Sequence, residues 1–139
     1  PVAGGLVAGS LVALGTAVAL AYALGASPAK LLSLAPKSVT APIAMGIADK
    51  LGGLPALAAV FAVTTGVVGG ALGKYVLDAC RIADWRVRGF ALGVAAHGIG
   101  TARAFQVNAE AGAFAGLAFG LHGALAAFAF PLLPLLLSR

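Results

Sequence analysis

Apolar residues fill three long stretches of this chain. Residues 1–29, 51–73 and 111–138 carry no charged side chain. The runs within and around them predict helices over Val2–Ala26, Leu54–Leu77 and Ala111–Ser138, each meeting the roughly 20 residues a bilayer requires. Pro131 and Pro134 are expected to kink or end the last one. Two further segments, Leu34–Lys50 and Gly89–Phe105, are apolar enough to enter a membrane but are interrupted near their middles. The first interruption is Pro36-Lys37-Ser38-Val39-Thr40-Ala41-Pro42 and the second is His97-Gly98-Ile99-Gly100-Thr101-Ala102-Arg103. Each proline lacks an N–H and disfavours helix in the residue before it, and the glycines loosen the second segment more gently. In lipid, broken backbone survives only where protein or a water-filled cavity satisfies the freed groups. A charge at bilayer depth costs roughly 2.5–3.5 kcal/mol on insertion scales. Such segments line sites, and binding sites of transporters are built from them.

Composition fixes the class. Of 139 residues, 61% are hydrophobic and 9% charged, against about 25% charged in soluble domains. Mean hydropathy is +1.05. The expectation is an all-α, polytopic membrane helix bundle with three full spans and two broken membrane segments. Residues 1–139 form a single domain. Pro1 stands where an initiator Met would be, and an uncharged helix begins at once, so the chain reads as an N-terminally truncated fragment with no signal-peptide pattern. The net charge of +5 comes from scattered residues without a basic, aromatic-interleaved stripe, which argues against nucleic acid. A lone Cys80 excludes an internal disulfide and a cysteine metal cluster.

The excess of Lys and Arg reports orientation instead. If both broken segments cross, Lys30, the loop with Arg81, Arg86 and Arg88, and Arg139 share one basic face, with Asp49, Lys50 and Glu110 opposite. If both re-enter, Lys30 and Arg139 lie opposite the basic loop. The bookkeeping favours crossing, with residues 78–88 cytoplasmic and Trp85 an interfacial anchor. A faint repeat at an offset of 61 residues aligns Thr40-Ala41 with Thr101-Ala102 and Ala48-Asp49 with Ala109-Glu110. Each half then reads as broken segment, acidic residue, long span.

Candidate chemistry gathers in the interruptions. Lys37, with Ser38 and Thr40 nearby, offers an ammonium and hydroxyls to an anion. Arg103 presents a planar fork suited to a carboxylate. Thr101 shares a helical face with His97, which can donate a hydrogen bond or carry a proton. Asp49 and Glu110 suit the outer interface more than a proton relay. His122, alone in an apolar span, reads as a packing residue. Two isolated histidines make a poor metal site; Ser10, Ser27 and Ser33 lack a nucleophile setting. No metal, cofactor or enzymatic activity is expected. Glycines at four-residue spacing, Gly66/Gly70, Gly69/Gly73, Gly89/Gly93 and Gly112/Gly116/Gly120, permit close helix packing.

Taken with the Gly52-Gly53-Leu54-Pro55 turn, the stretches 34–44 and 97–104 resemble the LrgB/CidB family of antiholin-like membrane proteins, which includes the plant plastid glycolate/glycerate translocator. The resemblance covers about residues 30–137, and Pro36, Lys37, Ser38, Thr40, Pro42, His97, Gly98, Gly100, Thr101 and Arg103 match its motifs. It implies a bacterial inner-membrane protein that acts with a small LrgA/CidA-type membrane partner. Two functions are implied: transport of small monocarboxylates such as glycolate, glycerate or pyruvate, or regulation of murein hydrolase activity and autolysis. On the first, Lys37, Ser38, Thr40, His97, Gly98, Gly100, Thr101 and Arg103 bind a small carboxylate anion near mid-membrane. On the second, the glycine faces and homo-oligomer contacts matter more.

Overall fold

The computed structural model describes residues 2–137, with side chains through residue 132. Its elements are α1 (Val2–Ala23), α2 (Pro28–Leu34), α3 (Ala41–Leu51), α4 (Pro55–Ala79), α5 (Trp85–Val107) and α6 (Ala109–Leu137). The all-helical expectation holds. Within the described residues α1, α4 and, over Ala109–Leu132, α6 are long and apolar enough to cross a membrane. Helix α6 runs through Pro131 rather than ending there; Ser138 and Arg139 lie outside the described residues.

The prolines act mostly as starters. Pro28, Pro42 and Pro55 occupy the first or second positions of α2, α3 and α4, where a missing N–H costs nothing. Pro42 therefore opens a helix rather than breaking one. Helix α3 ends at Gly52, whose φ of 81° is left-handed and suited to a residue without Cβ. The tight Gly52-Gly53 connection leads straight into α4.

Between α2 and α3 the chain reverses. Lys37 N–H donates to Leu34 O (3.0 Å) and Val39 N–H to Pro36 O (3.2 Å), a tight turn over residues 35–40. The buried Ser33 hydroxyl donates to Ala29 O (2.7 Å) and accepts from Leu54 N–H, also at 2.7 Å. A Cβ on Gly53 would lie 3.0 Å from Ser33 N. The end of α3 thus returns beside α2, and α4 sets out from there.

Helix α5 reverses too. Ala96 (φ −126°, ψ 17°) and His97 (φ 42°, ψ −136°) leave helical geometry. In a straight helix residues 92 and 100 would be about 12 Å apart, yet a Cβ on Gly100 would lie 2.8 Å from Leu92 O and 2.6 Å from Ala96 Cβ. The two arms also pack on α6 in opposite senses. Gly89 and Gly93 meet Ala111 and Ala115, whereas Phe105 and Thr101 meet Gly112 and Gly116. The first arm therefore runs parallel to α6 and the second antiparallel.

These contacts overturn the expectation that both broken segments cross. Lys30 consequently lies at the opposite end from the 80–84 loop, because α1 starts beside Arg86 and Val87 and carries the chain away. Charge bookkeeping fails here because single cations at helix ends weigh little against backbone packing. Each unit, α2–α3–α4 and α5–α6, is a reversal followed by a long helix, and α4 separates them by one bundle length. The second unit is therefore inverted relative to the first. Small residues hold the layers together: Ala44 and Ala48 pack on Ala58 and Ala62, with Val39, Ile47 and Ala126.

Candidate functional site between the two reversals

Helix α3 and the first arm of α5 are each about 11 residues, a rise of roughly 16 Å, so each turn sits near mid-bundle. The turns approach from opposite ends and are bridged by α4, which packs on both α3 and α5. His97 Nε2 donates to Ala62 O of α4 at 2.8 Å, and Ala62 belongs to the same cluster as Val39 and Ala44 of the first reversal. His97 is 4% exposed, and its carbonyl accepts from Thr101 Oγ1 at 2.9 Å. The left-handed φ of His97 is costly for a side chain with Cβ, on the order of 1–3 kcal/mol, and the Ala62 bond helps hold the ring there.

At the other turn, half-buried Lys37 donates from Nζ to Ser38 Oγ at 3.2 Å. Buried Ser38 lines a cavity of about 290 Å³ between α1, residues 35–39 and α6. Its walls are apolar apart from Ser10, Ser38 and His122. Ser10, Ser38 and His122 thus bring the polar groups of this cavity together from three segments of the chain.

The remaining predicted residues have other places. Thr40 precedes α3 as its N-cap, with no side-chain capping bond. Gly98 has room around it, since a methyl added there would meet Phe119 only at 4.0 Å, and Gly100 serves close packing of the arms. Neither glycine makes the break; Ala96 and His97 do. Arg103 does not join the cluster. It is exposed, donates to Gln106 Oε1 at 3.2 Å, and shares a small crevice with Lys74, Trp85 and Arg88 near the base of α5.

Sequence reasoning misses four residues. His122 is 7% exposed and bonds Ser10 at 2.8 Å; an imidazole in a long uncharged run is the signal. Ser33 locks the first reversal and carries no signal. Arg88, in the basic loop region, is buried, pairs with Asp78 at 2.7 Å and donates to Ile82 O at 2.8 Å, fastening the 80–84 loop. In that loop Asp84 caps α5 by accepting from Arg86 N–H. The Arg86 side chain, and then that backbone bond, hold the Asp84 carboxyl down at about 2.

Residues 1–136 match the model of the LrgB-like family. YxaC of Bacillus subtilis is 35% identical over 132 residues, 95% of this chain and 57% of the relative. YwbG of the same organism is 39% identical over 101 residues, 73% of the chain and 45% of the relative. The holin-like protein CidB of Staphylococcus aureus is 32% identical over 114 residues, 82% and 50% respectively. The chain spans about half the length of these curated relatives. No solved structure matches it.

Proposed function

The chain belongs to the LrgB-like family, and on that footing we propose that it is the solute-binding part of a membrane transporter for small monocarboxylate anions of the glycolate, glycerate or pyruvate kind. The observation that carries this reading is the approach, near mid-bundle, of two chain reversals from opposite ends, joined through Ala62 of α4, one bringing Lys37 and Ser38 and the other His97. As re-entrant membrane segments they would each reach about half of a 30 Å hydrocarbon core. They place broken backbone where protein surrounds it, the arrangement that carries binding sites in inverted-repeat transporters. Lys37 supplies positive charge, and Ser38 a hydroxyl beside the cavity. Arg103 belongs to the cytoplasmic rim in this reading. Lys74, Arg81, Arg86, Arg88 and Arg103 gather at the α5 end, against Lys30 and Lys50 at the other among the described residues, which orients the α5 base inward in a bacterial inner membrane.

The test is uptake of labelled glycolate or pyruvate into vesicles holding the full-length protein, with and without a small LrgA/CidA-type partner. Lys37→Ala is expected to lower uptake at least tenfold and Arg103→Ala to leave it within about threefold, since one lost charge contact is worth roughly 1.5–3 kcal/mol. Uptake unchanged in Lys37→Ala overturns the site.

A second reading has direct support in the holin-like name of the Staphylococcus aureus relative. The chain would then regulate murein hydrolase activity and autolysis through helix–helix contacts. Autolysis that tracks changes at Gly112 and Gly116 but ignores Lys37→Ala favours it.

A further inference from the structure

We propose that His122 is the proton-accepting group of the cavity between α1 and α6, taking up a proton when a small carboxylate anion enters; the proposal rests on the transporter reading above. The argument begins with one hydroxyl. Ser10 Oγ lies 2.6 Å from Leu6 O and 2.8 Å from His122 Nδ1. A carbonyl oxygen only accepts, and serine has a single hydroxyl hydrogen, so that hydrogen goes to Leu6 O. Ser10 Oγ must then accept from His122, which fixes the proton of the neutral ring on Nδ1 and leaves the lone pair on Nε2.

That Nε2 has no hydrogen-bond partner among the described residues, where Nδ1 supplies the ring's one side-chain bond. No side-chain nitrogen of the described interior is both sealed and unpaired, so Nε2 meets open space, and at this residue the open space is the cavity. A buried ring held in one tautomer, with its basic nitrogen toward an otherwise apolar chamber, stays neutral while the chamber is empty and takes a proton only when an anion compensates the charge.

Lys37, bonded to the cavity-lining Ser38, is a cation beside this chamber; α1 and α6 bring no titratable group other than His122 to its wall. Burial in the apolar wall and the Lys37 ammonium both oppose a positive charge on the ring. An incoming carboxylate removes that opposition. A proton from water then binds the Nε2 lone pair, giving an imidazolium paired with the anion. Release on the far side returns both, so one carboxylate moves with one proton and no net charge.

The experiment uses the full-length protein in proteoliposomes with labelled pyruvate. His122→Asn is the informative variant, because its amide reproduces the Nδ1–H donor to Ser10 but cannot titrate. The wild type is expected to accumulate pyruvate against its gradient by up to about tenfold per unit of imposed pH difference. His122→Asn should lose that accumulation, while Arg103→Ala, outside the cavity, should keep it, and keep pyruvate counterflow measured without a pH difference, within about threefold. Equal accumulation in His122→Asn and wild type overturns the proposal. Nitrogen-15 histidine spectra of the solubilised protein give a second readout. They should show His122 neutral with its proton on Nδ1, and more of it protonated at fixed pH once pyruvate is added. A proton on Nε2, or no response to pyruvate, overturns the proposal even where transport is intact. Wild-type protein with neither uptake nor counterflow overturns the transporter reading itself.

Discussion

Replacing Gly93 by alanine tests the packing that makes α5 a hairpin. A methyl there would lie 2.9 Å from both Ala115 C and Cα, and nearer still to the Ala115 carbonyl oxygen. Ordinary carbon contacts are about 3.5–4.0 Å, so the first arm and α6 must part by about 1 Å. The obstacle is backbone and cannot rotate aside; Ala115 itself is fully buried. Overpacking of this kind costs about 1–3 kcal/mol, and a backbone obstacle belongs at the upper end. Alanine's better helix preference returns up to about 1 kcal/mol, leaving about 2 kcal/mol of destabilisation. Gly120→Ala is the control, since nothing lies within 4 Å of its added methyl; it should gain up to about 1 kcal/mol. The two variants should therefore differ by about 3 kcal/mol, a hundredfold or more in the folded-to-unfolded ratio. Unfolding in mixed micelles of rising SDS content, followed through the single Trp85, measures that difference. An unfolding midpoint for Gly93→Ala equal to or above that of Gly120→Ala refutes the close parallel packing of the arm on α6.

Two other expectations follow from local geometry. At residue 97 the φ of 42° favours glycine, so His97→Gly should be more stable than His97→Ala by about 1 kcal/mol although both lose the Ala62 bond; the reverse order in the same unfolding assay would remove the strained turn. The depressed Asp84 carboxyl, near 2, predicts a cap that is unaffected from pH 7 down to about 4. Its contribution is present above the ordinary carboxylate value and is lost only as pH falls through about 2, as a carbon-13 titration of the Asp84 carboxyl will show; a midpoint near 4 contradicts the Arg86 pairing.

The spans are legible because uncharged runs of bilayer length have few other uses, and the bounds of α1, α4 and α6 fall within three residues of the predicted ones. The location of both interruptions is legible as well, but their shape is not. Pro36 and Pro42 mark the first turn correctly as a region, although Pro42 proves to start α3. In the second, Gly98 and Gly100 stand out in the sequence while Ala96 and His97 carry the turn. Nothing local announces that a histidine will sit at positive φ, since the packing of Gly100 on Leu92 and of His97 on Ala62 imposes it. Lys37, Ser38 and His97 are found by residue type. His122 escapes because its partner, Ser10, is 112 positions away, and such a pairing is visible only once α1 is docked on α6.

The reversals also constrain how the protein is made. Arms of about 11 residues are too short to partition into a bilayer as independent segments, which takes about 20. Their exposed turn groups would be stranded in hydrocarbon without surrounding helices. Biogenesis must therefore be ordered: α1, α4 and α6 enter first as stable spans, and the paired arms settle between them afterwards, once Ala62, Ala111 and Ala115 are in place to receive them. A lesion at Gly89 or Gly93 would then surface as a protein that inserts with normal topology and stalls at assembly, a membrane counterpart of a late folding defect.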